Sequence, residues 1–223
     1  DFSNPDWETD ADITTAVTDR NGNIWIGTQG YGLRKINPKK QLFHTGGAGT
    51  SIWGLWRDTR GRYFCKVVNQ VFPYNPATGR IGAERAFQDG PKRLLDMHIE
   101  PSGSLWLLGR GEEENGMAEL LRYDPDSGLK QRYPFAFNPY LYARMLRNRE
   151  GQFWLTGFNC QLVRFNPQTT RFDYFDYSAI FGEKANSVRA FALAEDGNGV
   201  LWIGTQLGLI KATPNGPSLD FHL

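Results

Sequence analysis

Short apolar segments separated by turn signals run along nearly the whole chain. Residues 13–18 alternate between apolar and polar side chains, whereas residues 23–28 are strongly apolar. The first pattern is typical of a half-buried strand and the second of a strand that is buried on both faces. The Asp-x-x-Gly sequence from Asp19 to Gly22 favours a tight turn, because Asp accepts hydrogen bonds from the amides that follow it and Gly tolerates positive φ. Together these segments predict a β-hairpin.

The hairpin pattern returns four more times. Each copy has an aromatic marker in its apolar second strand, and the markers are Trp25, Phe64, Trp106, Trp154 and Trp202. A third strand, such as residues 33–36, stops where Pro follows Asn, Asp or Thr, at Asn37, Asn75, Asp124, Asn166 and Thr213. A fourth strand rich in aromatic residues comes next, for example residues 171–177. The repeat length fits four short strands and their turns.

The repeats define the fold class. Sustained helical periodicity is absent from the sequence, and Gly or Pro recurs at short intervals. Antiparallel four-stranded sheets that repeat every ~40 to 50 residues are typical of propeller blades. We therefore predict an all-β fold, a β-propeller of five four-stranded antiparallel blades that occupies residues 1–223. The blades are expected at 12–50, 51–90, 91–139, 140–185 and 186–223, as a segment of a larger array or as a closed five-bladed ring.

Two stretches carry a family resemblance. Residues 22–38, GNIWIGTQGYGLRKINP, and residues 199–209, GVLWIGTQLGL, resemble the two-component regulator propeller repeat. The likeness extends over essentially the whole chain and is weaker in units two to four. Unit two departs most, since Phe64-Cys-Lys-Val stands where the repeat has Trp-Ile-Gly-Thr.

The resemblance implies a role in sensing. Repeats of this family build extracytoplasmic ligand-binding domains of bacterial sensor histidine kinases, including Bacteroidetes hybrid sensors that respond to glycan fragments. It implies a periplasmic domain of a membrane-anchored parent, with any kinase activity outside this chain. The implied ligand is a small molecule or an oligosaccharide. The protein partners that the resemblance allows are neighbouring propeller or sensor domains and a second copy of the chain in a homodimer.

Composition and charge exclude other partners. The chain has 25 basic and 24 acidic residues, and its net charge of +1 provides no electrostatic footprint for nucleic acid. Its uncharged segments are too short and too polar to span a bilayer, so we expect membrane contact only through parts outside this sequence. The first residue is Asp1, which we interpret as the start of a mature fragment or an excised piece.

The sequence holds no evident catalytic or metal-binding motif. His44, His98 and His222 fall in different units, which argues against a zinc site or a histidine base. Residues 27–32 resemble a phosphate-binding loop, but no helix follows them, so we interpret them as a hairpin loop. The acidic run 112–115 lacks the spacing of a calcium-binding loop. We expect no cofactor, no metal and no enzymatic activity.

Residues that recur in every unit are interpreted as structural. The five marker aromatics occupy the same place in each unit, which predicts a core between blades. Asp19, Asp58 and Asp196 are predicted to form turns rather than to act as catalytic acids. Cys65 and Cys160 occupy different points of the repeat, so we expect two separate thiols.

A ligand site is expected where the units differ. In a propeller, the loops between second and third strands and the connections into the next first strand surround the central channel. The variable residues at those places are Tyr31, Trp53, Asn69, Gln70, Arg93, Arg110, Arg144, Asn159 and Arg189. Arg and Trp suit acidic or carbohydrate ligands through forked hydrogen bonds and stacking.

Two of these residues are the best candidates. Arg144 stands where other units have Thr, Gly, Asp and Ala. Trp53 likewise differs from the residues at the same position in other units. The structural alternative is an ion pair between Arg144 and Asp96 and a packed Trp53. Three functions stay open: a sensory domain, a scaffold for protein contacts, and an enzyme resembling the streptogramin lyases, which would need a metal-binding cluster of His and carboxylates.

Overall fold

The structure, a computed structural model, describes residues 12–37, 42–46, 49–110, 117–124, 126–137 and 143–223, with the backbone alone at 42–46. These residues form twenty strands in five four-stranded antiparallel sheets. In every sheet the order of the strands follows their order along the chain. This up-and-down topology is that of a propeller blade. The predicted all-β fold of five four-stranded blades is confirmed.

The strand bounds follow the repeat. Blade 1 contains β1 (Ile13–Thr18), β2 (Ile24–Thr28), β3 (Gly32–Asn37) and β4 (Leu42–Gly46). Blade 2 contains β5 (Ile52–Arg57), β6 (Tyr63–Val67), β7 (Gln70–Asn75) and β8 (Arg80–Ile81). Blade 3 contains β9 (Arg93–Ile99), β10 (Leu105–Arg110), β11 (Ala118–Asp124) and β12 (Gly128–Phe135). Blade 4 contains β13 (Arg144–Arg147), β14 (Phe153–Thr156), β15 (Gln161–Asn166) and β16 (Arg171–Asp176). Blade 5 contains β17 (Ala190–Glu195), β18 (Leu201–Thr205), β19 (Gly208–Asn215) and β20 (Ser218–His222), after two short 3₁₀ helices at Ser178–Ile180 and Gly182–Ser187.

The chain divides into two compact units. Blades 1 and 2 belong to the first, residues 1–88 with 101–103, and blades 3, 4 and 5 belong to the second, residues 89–100 with 104–223. The core of the first unit lies between its two blades and includes Trp25, Leu33 and Ile52. The second unit has one core between blades 3 and 4 and another between blades 4 and 5. Burial of these facing apolar surfaces is the main stabilising contribution to each unit.

Turn chemistry explains where the first hairpins bend. Oδ1 of Asp19 accepts hydrogen bonds from the amides of Asn21 and Asn23, and Gly22 takes φ of 78°. Asp196 does the same with the amides of Asn198 and Val200. The turn-forming role predicted for these aspartates is confirmed, and Asp58 likewise accepts from the amide of its turn, that of Arg62.

One predicted strand end is wrong. Asn75 and Asn166 each accept two amide hydrogen bonds after the third strand ends, as expected of Asn before Pro. In blade 5, however, β19 continues through Pro214 to Asn215, and the chain turns at Gly216, whose φ is 57°. Pro214 pairs with Leu219 on β20, and it lies beyond Ala212, the last residue of β19 that pairs with β18.

Four of the five marker aromatics are buried core residues. Trp25, Phe64, Trp106 and Trp154 are each at most 6% exposed, as predicted. Trp202 is only half-buried, so the expected core position is wrong there. Its sheet face also carries Leu209, which is 54% exposed. Trp202 stays partly exposed because, among the described residues of its unit, no other blade packs on that face of blade 5.

Other features of the described residues concern thiols and membranes. Cys65 and Cys160 are free and buried, as the sequence predicted. No helix in the described part of the chain is long and apolar enough to cross a bilayer. The acidic run 112–115 and the side chain of His44 lie outside the described residues.

Candidate functional site

The variable residues lie at one end of their own blades. This loop end contains the turn between the second and third strands and the start of the first strand. The first unit holds Tyr31, Trp53, Asn69 and Gln70, and the second holds Arg93, Arg110, Arg144, Asn159 and Arg189. The residues of each unit are described in turn.

In the first unit, one hydrogen bond joins the two blades at the loop end. The amide of Gly30 donates to Oγ of Ser51, which brings the turn that holds Tyr31 to the start of β5. Tyr31 is exposed and Trp53 is half-buried in an irregular part of β5, where the register with β6 shifts. Asn69 is half-buried in the turn before β7. Tyr31 and Trp53 thus lie on the two blades that this bond joins.

In blade 3, two arginines face each other across the sheet. Arg93 begins β9, Arg110 ends β10, and they are direct partners in the antiparallel register. Both are half-buried. Like charges at directly opposed positions repel one another.

The turn of blade 4 is joined to the start of blade 5. The amide of Asn159 donates to the carbonyl of Val188 at 3.1 Å, and the amide of Ala190 donates to the carbonyl of Gly157 at 2.7 Å. Phe158 and Arg189 form an isolated antiparallel bridge between these bonds. This short ladder places Asn159 beside Arg189.

Gln206, which sequence reasoning did not single out, holds the other side of Arg189. Its Oε1 accepts from the amide of Arg189 at 2.6 Å, and its Nε2 donates to the carbonyl of Ser187 at 2.7 Å. Gly-Thr-Gln occurs both at 27–29 and at 204–206, and this recurrence was a signal for the position. The backbone that carries the exposed Arg189 side chain is therefore fixed from two sides.

Asn159 has two unusual features. Its φ is 58° and that of Cys160 is 55°, a region that non-glycine residues rarely adopt. Its Oδ1 is buried and accepts no hydrogen bond from the described residues. Buried polar atoms are almost always satisfied, and unusual backbone conformations are concentrated at functional sites. An acceptor in this position is suited to a donor from a bound molecule.

Arg144 links the first strands of blades 4 and 5. Its Nε donates to the carbonyl of Phe191 at 2.8 Å, and its Nη1 to the carbonyl of Ala143 at 3.3 Å. Oδ2 of Asp96, the partner considered for Arg144, accepts instead from the amide of Met145 at 2.8 Å. Within the described residues the Arg144 contacts are thus to uncharged carbonyls, and its positive charge is not matched by a carboxylate. Phe191 beside it is 40% exposed.

The second unit thus assembles a loop-end cluster, defined as Arg144, Asn159, Arg189, Phe191 and Gln206. It combines guanidinium donors, a buried amide acceptor and an exposed aromatic ring. Such a set can hydrogen-bond hydroxyl or acidic groups and stack on an apolar face.

Two titratable groups outside the cluster, Tyr177 and His98, have pKa values shifted by burial. Burial raises the pKa of Tyr177 to about 12, against a hydrogen bond with Thr156 that lowers it. Burial also lowers the pKa of His98, whose ring packs against Phe153 with centroids 5.6 Å apart. No group of three or more His, Cys, Asp or Glu among the residues that the structure describes is placed to hold a metal ion.

Solved structures share this fold. The extracellular domain of a putative one component system from B. thetaiotaomicron has a TM-score of 0.68 at 15% identity, over 94% of this chain and 29% of that one. The extracellular domain of a putative hybrid two component system from the same organism has a TM-score of 0.65 at 20% identity, over 89% and 27%. Virginiamycin B lyase from Staphylococcus aureus has a TM-score of 0.67 at 13% identity, over 94% and 68%. At these identities the likeness shows the fold alone, and the chain spans less than a third of either system protein.

Sequence comparison identifies the repeat. No curated protein sequence matches the chain. The profile of the family described as two component regulator propeller matches residues 8–30 and 182–206, which overlap the two stretches at 22–38 and 199–209 that resemble this repeat. Two segments of the chain therefore match the two component regulator propeller family.

Proposed function

We propose that this chain is a non-catalytic sensory domain of a two-component system that binds a ligand at its loop end. The observation that carries the proposal is the match of both terminal repeats to the two component regulator propeller family. The similar extracellular domains of putative one component and hybrid two component systems support the same role. Signal transfer to a kinase takes place outside the 223 residues.

The proposed ligand is an oligosaccharide or a similar hydroxyl-rich molecule, with an acidic group favoured. Sugar hydroxyls can donate to the unsatisfied Oδ1 of Asn159 and accept from the guanidinium of Arg144. The exposed ring of Phe191 offers a flat apolar face for a pyranose ring. Arg144, whose charge is not matched by a carboxylate among the described residues, favours a carboxylate or a sulfate.

The proposed location is the extracytoplasmic side of a membrane. The two similar system proteins are described as extracellular domains, which supports this assignment. Further propeller or sensor domains and a second copy of the chain are the proposed protein partners, whereas the net charge of +1 disfavours nucleic acid.

A lyase is the second candidate, because virginiamycin B lyase shares the fold with a TM-score of 0.67. Histidine placement does not favour it. His98 packs between blades 3 and 4, where its ring contacts Phe153, and His222 lies on the last strand of blade 5. Neither belongs to the loop-end cluster.

The two candidates differ in whether the chain binds its ligand and releases it unchanged or converts it into a product. The chain is dialysed to equilibrium against pools of neutral and acidic oligosaccharides and against a macrolactone, with and without divalent metals, and the bound and free fractions are analysed by mass spectrometry. A sensor retains an oligosaccharide and releases it unchanged. A product that accumulates in proportion to the amount of chain, and that disappears when Arg144 or Asn159 is replaced, would overturn the proposal in favour of a lyase.

A further inference from the structure

Blade 2 departs from the other blades along one row of residues that crosses its sheet. In the other blades the marker tryptophan pairs with a basic residue on the third strand, and these residues are Lys35, Arg122, Arg164 and Lys211. The cations of Lys35, Arg164 and Lys211 lie 5.0, 5.5 and 5.9 Å from the marker ring centroids. In blade 2 the marker is Phe64 and its partner is Pro73. The row therefore loses part of an indole ring and a long basic side chain.

The fourth strand of blade 2 removes one more side chain from this row. In blades 3, 4 and 5 the residues that pair with the basic residue are Gln131, Asp173 and His222. In blade 2 the short β8 ends at Ile81, and the amide of Gly82 donates to the carbonyl of Pro73 at 2.8 Å. A Cβ built on Gly82 would lie 3.2 Å from Cδ of Pro73, so this close approach favours glycine.

A cavity lies where these side chains are missing. Its volume is about 460 Å³, within the range of about 300–1,000 Å³ that is usual for ligand pockets, and its lining includes Arg62, Phe64, Pro73, Asn75 and Ala86. Arg62 follows the turn between β5 and β6, and Asn75 ends β7. The cavity is therefore at the end of blade 2 opposite to its loop end. We call it the blade 2 cavity.

The segment after Gly82 forms one side of the blade 2 cavity. The amide of Ala86 donates to the carbonyl of Val71 at 2.8 Å, which keeps this segment alongside β7. The next residue, Phe87, packs its ring against Phe64, with centroids 5.8 Å apart. The apolar part of the lining is thus held in place by main-chain hydrogen bonds and by a buried ring pair.

Arg62 supplies a charged group at the blade 2 cavity. Its Cζ lies 5.8 Å from the ring centroid of Phe64, so it takes the place of the third-strand cation of the other blades. Its Nε donates to Oδ2 of the buried Asp58 at 2.6 Å, which fixes the side chain. A guanidinium carries five N–H donors, and among the described residues the bond to Asp58 uses Nε alone. The Nη donors of Arg62 are suited to an acidic group.

We propose that the blade 2 cavity binds a small aromatic carboxylate. The ring of this ligand lies against Phe64 and Pro73, in the space that an indole and a basic side chain fill in the other blades. Its carboxylate accepts hydrogen bonds from Arg62. This proposal goes beyond ligand sensing at the loop end and does not depend on it.

Titration of the whole chain with naphthoate, followed by NMR of the ligand resonances, tests the proposal. Two matched probes separate the ring from the charge. Naphthamide has the same fused rings without the charge, and cyclohexanecarboxylate has the charge without an aromatic ring. We expect naphthoate to bind about tenfold more tightly than either probe, because only naphthoate makes both the ring contact and the charge-assisted hydrogen bonds.

Variants that restore the repeat should fill the blade 2 cavity. Pro73→Lys introduces the residue type of the other blades, and we expect it to weaken naphthoate binding about tenfold or more. Phe64→Trp restores the marker, has the same expected effect, and covers the case in which Pro73→Lys does not fold. Lys211→Arg, a conservative change at the corresponding position of blade 5, is the control and should bind naphthoate like the parent.

Two arginine variants locate the carboxylate. Arg62→Gln should lose the preference for naphthoate over naphthamide, whereas Arg144→Ala, in the loop-end cluster, should bind naphthoate like the parent. The proposal is overturned if the parent does not prefer naphthoate to both other probes. It is also overturned if the folded Pro73→Lys and Phe64→Trp variants bind naphthoate as tightly as the parent. Loss of binding in Arg144→Ala would place the aromatic acid at the loop end and overturn it as well.

Discussion

The indole Nε1 of Trp25 donates a hydrogen bond to Oδ2 of Asp19 at 3.1 Å. Trp202 and Asp196 repeat this bond at the same distance. In each case the aspartate uses its other oxygen to accept amides of the turn, so one carboxylate fixes both the hairpin turn and the marker ring. In blade 3, where Glu100 and Pro101 replace this turn sequence, Nε1 of Trp106 is buried and has no partner among the described residues.

The first prediction concerns acid stability. Partial burial raises the pKa of Asp19, but hydrogen bonds from Asn23, Trp25 and Asn21 outweigh it, and the pKa lies below its ordinary 3.8. A carboxylate with a lowered pKa contributes stability above about pH 4, and the contribution is lost as the pH falls through the folded-state pKa. Asp19→Asn should cost about 1–3 kcal/mol at pH 7 and flatten the loss of stability below pH 4.

Urea unfolding between pH 7 and pH 3 measures both effects. Asp12→Asn, at an exposed position before β1, is the control and should retain the acid dependence of the parent. An Asp19→Asn variant with the stability and the pH profile of the parent would mean that Asp19 does not anchor the turn.

The second prediction compares two tryptophans at one repeat position. Trp25→Ala removes a buried ring and should cost about 3–5 kcal/mol in the free energy of unfolding. Trp202→Ala, on the open face of blade 5, should cost less than half as much, because fewer neighbours lose contact. Chemical denaturation of both variants measures the difference. Equal costs would show that the sheet face that carries Trp202 is as well covered as the face that carries Trp25.

The third prediction concerns His98. Burial and then the positive charge of Arg147 lower its pKa below the ordinary 6.5, against the opposing effect of Glu100. The folded state therefore binds the proton less readily than the unfolded state, and stability falls as the pH drops from about 6.5 towards the lowered pKa.

Substitution of each histidine isolates this effect. We expect His98→Gln to weaken the pH dependence between pH 7.5 and pH 5, and His222→Gln, at an exposed position, to leave it as in the parent. Thermal unfolding at the two pH values measures the slope. If both variants behave alike, burial of His98 is not the cause.

Sequence reasoning predicted the fold where local chemistry decides it. Asp19 and Gly22 specify a turn by themselves, and the recurrence of Trp in the second strand specifies the repeat. It was wrong where the outcome depends on neighbours. Trp202 has the sequence surroundings of Trp25, and only the presence of a covering blade distinguishes them. The sequence around Pro214 resembles a strand end. The strand β19 nevertheless continues to Asn215, because Pro214 pairs with Leu219 on the edge strand β20.

The candidate site was predictable only in its position. The repeat placed Arg144, Asn159 and Arg189 at the loop end of their blades. Their mutual contacts depend on the path between β16 and β17, which includes the two 3₁₀ helices and has no counterpart among the described residues of the other units. For that reason neither the ladder between Phe158 and Arg189 nor the clamp by Gln206 could be derived from the sequence alone.

The central claim is ligand binding by the loop-end cluster, and calorimetric titration of the chain with acidic and neutral oligosaccharide pools tests it most directly. Arg144→Ala and Asn159→Ala should each weaken binding about tenfold or more, as expected when a desolvated polar contact worth about 1.4 kcal/mol is lost. Trp53→Ala tests the first unit in the same assay. Arg171→Ala, an exposed arginine at the opposite end of blade 4, is the matched control and should bind like the parent. If the folded Arg144→Ala and Asn159→Ala variants bind with the affinity of the parent, ligand binding by the loop-end cluster is contradicted. It is also contradicted if the parent releases or absorbs no binding heat with any of the pools.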